Sequence, residues 1–125
     1  MKKISIFTKE NILSFLYISL LLAIGRLIPH PPNFTPIIAS AVMLNYFTNN
    51  KFFSLLIIFS SMFLSDLIIG LHNGIFIVYF SLFVVFSISL LLFKKFNLKN
   101  IFINGITSSF IFFAMTNFGV WISSD

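Results

Sequence analysis

The 125 residues are 58% apolar and only 9% charged, with 19 phenylalanines, whereas a water-soluble domain is about one quarter charged. No soluble core absorbs that much apolar surface. The absence of cysteine excludes disulfides, thiolate catalysis and cysteine-based metal sites, and leaves the redox compartment open. At roughly 20 residues per crossing the length suits five or six membrane-spanning helices, so residues 1–125 are expected to form a single integral membrane domain whose first partner is the lipid bilayer. The richness in Phe, Ile, Asn and Lys also fits an AT-rich genome, so the phenylalanine count carries no argument by itself.

In chain order, a first apolar segment is expected over about 12–28, with Arg26 near its far end. It comes after Met1, Lys2 and Lys3, but it exceeds the roughly 7–15 apolar residues of a signal peptide and lacks a small-residue cleavage site behind it, so a retained helix is expected. The prolines at 29, 31 and 32 stop it, because proline lacks a backbone donor and clashes with the preceding turn. A second helix is expected over 36–47, with Thr35 as cap and Pro36 at the first helical position. At about 1.5 Å per residue it falls well short of a hydrocarbon core of about 30 Å. It must therefore thin the bilayer, continue through Thr48-Asn49-Asn50, or be shielded by neighbours. Full-length helices are expected over 52–71 and 75–93, joined by a tight turn at His72-Asn73-Gly74, and over 101–122. Lipid leaves backbone groups no other partner, so the expected fold is all-α, a polytopic transmembrane bundle of about five helices.

Charge gives the orientation. Lys2, Lys3, Lys9, Lys51, Lys94, Lys95 and Lys99 fall on one side of this arrangement and Arg26 on the other, so the positive-inside rule predicts a multi-pass protein of the cytoplasmic membrane with its N-terminus inside. The net charge of +5 then needs no nucleic acid to explain it.

This orientation gathers the polar chemistry toward the outer face: Arg26, His30, Asn33, His72, Asn73 and Asp125, with Asp66, Asn117 and Trp121 just below. Asp66 and Arg26 share a depth at which a lone charge is costly, so a pair across the first and third helices is expected. On the third helix Ser61, Ser65 and His72, flanked by Met62, Asp66 and Asn73, form one face. On the fifth, Phe110, Ala114, Asn117 and Trp121 do the same. Such faces should look into the bundle, where an aromatic wall with a few hydrogen-bonding groups suits a small organic ligand. Plainer roles compete at each position. Trp121 suits an interfacial belt. The serines, with Ser19, Ala23, Ala39, Ala41 and Met43, suit close helix packing. The pair of Arg26 and Asp66 suits a structural lock. His30 and His72 lack companions at ligand spacing, so no metal site is expected. With one buried carboxylate, no phosphate loop and no catalytic motif, no enzyme activity and no cofactor are expected.

The run Arg26-Leu27-Ile28-Pro29-His30-Pro31-Pro32-Asn33-Phe34-Thr35-Pro36, followed by Ala39 and Ala41, then Leu64-Ser65-Asp66-Leu67-Ile68-Ile69-Gly70-Leu71-His72 with Tyr79 after it, and finally Thr116-Asn117-Phe118-Gly119-Val120-Trp121, resembles a group of small bacterial integral membrane proteins of unknown function, labelled as candidate transport proteins. That group is distantly similar to the substrate-binding S components of energy-coupling factor transporters. The resemblance runs from about 12 to 122 and implies that Arg26, His30, Asn33, Asp66, His72, Asn117 and Trp121 occupy the shared motif positions. It implies an S-component-like bundle that captures an unknown small solute in a cavity open to the outer side. Since the chain has no phosphate loop, an energising membrane subunit and an ATPase would be the partners. Members of the group continue beyond the last motif into a further helix, where this chain ends at Asp125. That leaves a shortened member, a fragment, or a unit completed by a partner or second copy. The alternative function is a non-transporting scaffold or interaction subunit whose polar cluster is structural.

Overall fold

The computed structural model describes residues 9–29, 36–92 and 94–124. Five helices make up this region: α1 (Lys9–Leu27), α2 (Pro36–Phe47), α3 (Lys51–Ile69), α4 (Ile75–Leu92) and α5 (Leu98–Ser123). All described elements are helical, and α3, α4 and α5 are long and apolar enough to cross a membrane. The turns between them carry their own chemistry. Asn50 caps α3 by accepting from the Phe53 amide at 3.2 Å, and Asn97 caps α5 by accepting from Asn100 at 2.7 Å, each satisfying a donor that a helix start leaves orphaned. The Lys51 ammonium donates to the Asn45 carbonyl and, at 2.8 Å, to that of Thr48, closing the C-terminus of α2 where a cation is favoured. The third helix ends at Ile69, two residues earlier than the sequence suggests. Gly70 takes φ +108° there and returns its amide to the Asp66 carbonyl at 2.9 Å, a backbone conformation that favours glycine.

The helices alternate in direction. Phe15 on α1 meets Phe53 on α3, and Phe96 before α5 meets both Tyr46 and Phe47 at the end of α2. One end of the bundle thus carries Lys9, Lys51, Lys94, Lys95 and Lys99, and the opposite end carries Arg26.

The short second helix is shielded by its neighbours. It packs against α1, α3, α4 and α5, whereas α1 lies mainly on α3 and α4 mainly on α5. Its Ile37, Ala41 and Val42 are buried, and the core continues through Ile58, Met62, Leu82 and Phe86. Of the small residues read as packing positions, Ser19, Ala23 and Ala41 are buried, while Ala39 is exposed. Near the Arg26 end, Gly119 of α5 is pressed onto α4. A Cβ at Gly119 would lie 2.5 Å from two Ile77 carbons. Large apolar side chains such as Phe76, Phe102, Phe110 and Ile106 point outward, which is compatible with helices that lie in a membrane.

Candidate functional site

Arg26 lies in the last turn of α1, opposite the last turn of α3. Its Nη1 pairs with Asp66 Oδ1 and donates to Ser65 Oγ at 2.6 Å and to the Met62 carbonyl at 3.3 Å. Asp66 is almost wholly buried, and its second oxygen accepts from the Tyr79 hydroxyl at 2.8 Å. The Tyr79 ring is held in turn by Phe59, with centroids 5.5 Å apart. Three helices therefore meet at one carboxylate. The four-residue spacing of Ser61, Met62, Ser65 and Asp66 builds this seam, and all four side chains are buried, because residues three and four apart share a helix face. The Ser65 hydroxyl also donates to the Ser61 and Met62 carbonyls, so it serves the guanidinium as an acceptor already fixed in place.

Beside the guanidinium, a cavity of about 550 Å³ opens between α2, α4 and α5. Ile37, Ile38 and Ala39 line it from α2, Val78 and Leu82 from α4, and Met62 from α3. The α5 wall is Gly105, Ser109, Phe112, Phe113 and Thr116. That volume falls within the range of about 300–1,000 Å³ that holds small organic molecules. Thr116 donates to the Phe112 and Phe113 carbonyls, so it presents chiefly a methyl group. A smaller recess of about 120 Å³ adjoins through Val78 and Thr116, and His72, Asn73 and Gly74 form its rim.

The sequence-predicted residues divide. Arg26 and Asp66 come together as expected, and Arg26 borders the main cavity. His72 is exposed at the turn after α3 and reaches only the smaller recess. Asn117 and Trp121 are not brought to the Arg26 cluster. Asn117 is exposed and donates back to the Phe113 carbonyl at 2.7 Å, and Trp121 is 72% exposed with its ring stacked on Phe118. The expected inward face of the fifth helix, Phe110, Ala114, Asn117 and Trp121, is thus turned outward. The face that packs carries Asn104, Ser108 and Gly119, since small and hydrogen-bonding residues, rather than aromatic ones, let helices approach in lipid. His30 and Asn33 lie outside the described residues.

Sequence reasoning missed a second polar cluster at the lysine end. Asn45 and Asn104 both donate to Ser89 Oγ, at 2.8 and 2.7 Å, Asn104 also reaches the Tyr46 hydroxyl at 3.3 Å, and Ser108 donates to Asn104 at 3.1 Å. This node joins α2, α4 and α5 without any charge. Its traces in the sequence are a lone asparagine within the apolar second segment and the four-residue interval from Asn104 to Ser108. Tyr79, the third partner of the carboxylate, follows the Asp66 run among the residues that carry the family resemblance, but no spacing ties it to Asp66.

Residues 7–125 match the family of unknown function DUF6580. The chain belongs to that family. No curated protein and no solved structure matches it. The DUF6580 match covers all five helices, so the carboxylate junction, the cavity and the uncharged node of this member all lie within the family's span.

Proposed function

We propose that the chain is a membrane transport subunit, or a substrate-binding component of one, that captures a small solute in the cavity beside Arg26. The observation that carries this reading is the cavity itself: space for an organic molecule, an aromatic wall at Phe112 and Phe113, and a guanidinium at its edge. The proposed setting is the bacterial inner membrane. Its N-terminus and lysine end face the cytoplasm, in keeping with the segregation of lysine from arginine, and the Arg26 end faces outward. The architecture is proposed to be S-component-like, with energy supplied by a separate membrane subunit and ATPase docking from the cytoplasmic side. No catalysis and no cofactor are assigned to it.

One observation favours a second reading, a scaffold locked by its polar seam: Arg26 Nη1 and both Asp66 oxygens direct their bonds within the protein, to each other, Ser65 and Tyr79. Uptake separates the two. Cells expressing wild type, Asp66→Asn, Arg26→Ala or the double variant are fed a uniformly labelled nutrient extract, and labelled intracellular metabolites are compared at matched levels of folded protein. Capture predicts a metabolite that accumulates with wild type and is lost in a well-folded single variant. Metabolite profiles that stay unchanged across all four proteins select the scaffold.

A further inference from the structure

The way the cavity is charged, lined and opened narrows what it holds. Among the described residues Arg26 is its only charged lining group, and that charge is met at close range by Asp66, so the site presents little uncompensated field. A guest with a net charge would enter a largely apolar chamber with no counter-ion of its own, a cost of several kcal/mol at membrane depth. Of the two hydroxyls on the wall, Thr116 is engaged by its own helix, whereas Ser109 has no hydrogen-bond partner among the described residues. Ser81 and Ser87, by contrast, each donate to the carbonyl four residues back, an option open to a helical serine.

The mouth is placed unusually. The exposed lining residues on α5 are Ser109 and Phe113, facing exposed Ala39 on α2. Both α5 residues sit in the middle third of Leu98–Ser123, about 15 Å or more from either end of that helix at about 1.5 Å per residue. Among the described residues, the opening between α2 and α5 therefore looks sideways toward the hydrocarbon core.

Resting on the capture reading above, we infer that the cavity takes an uncharged, mainly apolar molecule that enters from the bilayer between α2 and α5 and is held by one hydrogen bond to the Ser109 hydroxyl. Each part stands on a separate observation: neutrality on the Arg26–Asp66 pair, apolarity on the wall, the bond on the idle hydroxyl, and the route on the depth of the mouth.

Gly105 offers a probe, because a Cβ there meets nothing within 4 Å and the chain contains no native cysteine. The variant Gly105→Cys, reconstituted in phosphatidylcholine nanodiscs, is labelled with a lipid-soluble maleimide or a sulfonated, water-confined one. Labelling is repeated with 2-naphthol, 2-naphthoate or 2-naphthylmethylammonium at equal membrane-bound concentration. The inference expects the lipid-soluble reagent to react faster. It also expects 2-naphthol to slow that reaction about tenfold once its concentration reaches about ten times its Kd, the two ions to slow it far less, and Ser109→Ala to weaken the naphthol effect. Stronger protection by either ion overturns the neutral guest while leaving capture standing. Equal rates for the two maleimides overturn entry from the bilayer. A thiol that reacts freely with no protection by any probe overturns capture and the inference together. A thiol that forms a disulfide with a second copy shows the groove covered by protein and overturns the inference, and a thiol that neither maleimide labels overturns entry from the bilayer.

Discussion

Replacing Asp66 by asparagine removes a charge while keeping the shape of the side chain, and the geometry of the junction sets the cost. The amide oxygen can still accept from Arg26 Nη1, and its nitrogen can still meet the Tyr79 oxygen once that hydroxyl rotates, so most of the bonds at this junction survive in altered form. The loss is the counter-ion of a guanidinium whose side chain is only 15% exposed. Breaking a buried pair from one side destabilises by about 3–5 kcal/mol because a charge is left uncompensated, and a lone arginine deep in a membrane carries a similar penalty of about 2.5–3.5 kcal/mol on insertion scales. Asp66→Asn is therefore expected to lower stability by about 3 kcal/mol. Arg26→Ala strands the carboxylate with the Tyr79 hydroxyl still donating to it and also empties space at the cavity edge, so it should lower stability by about 3–4 kcal/mol. The double variant leaves no stranded charge and should lose well under the sum, giving a coupling of about 2–3 kcal/mol. Equilibrium unfolding in lipid bicelles, read out by the rate of trapping with a bulky tag, measures all three against wild type. Additive losses within about 0.5 kcal/mol would show that the two side chains do not depend on one another and refute the reasoning.

Two further outcomes rest on the packing. Ser89→Ala removes the shared acceptor of Asn45 and Asn104 and should destabilise by about 1–2 kcal/mol in the same bicelle assay, since two buried amide donors lose a partner at once; a change below the error of that assay would mean the node is idle. Gly119→Leu forces a side chain into the 2.5 Å approach to Ile77 and should lower thermal stability in detergent by about 1–3 kcal/mol through overpacking. Pairing it with Ile77→Ala should recover part of the loss, whereas an unaffected single variant would mean that α4 and α5 do not meet there.

The elements most legible from the sequence were those fixed by solvent and length. Helices α3, α4 and α5 stand within about three residues of where hydropathy puts them, and the short second helix resolves into one of its three stated options, burial against neighbours, because Ala41 and Val42 are small enough to let the others close around it. The pairing of Arg26 with Asp66 was also legible, since depth and sign leave few ways to relieve two charges in hydrocarbon. The rotation of α5 was not. Where both lipid and protein are apolar, an aromatic residue gains little by facing inward, so Phe110 and Trp121 give no reliable compass, and the decisive signals were the weaker ones at Asn104, Ser108 and Gly119. The cavity wall at Ser109, Phe112 and Phe113 belongs to that same misjudged helix, and for that reason it was missed.

Capture requires that a small molecule occupy the space beside Arg26. Gly105→Trp tests it most directly, because the residue borders that space and its Cβ meets no neighbour, so an indole added there can obstruct the cavity. Small molecules released on denaturing wild type and Gly105→Trp, both purified from native membranes and matched by elution profile, are compared by mass spectrometry. The account predicts a compound that accompanies the wild type and is absent from the filled variant. Identical profiles from the two proteins would contradict it.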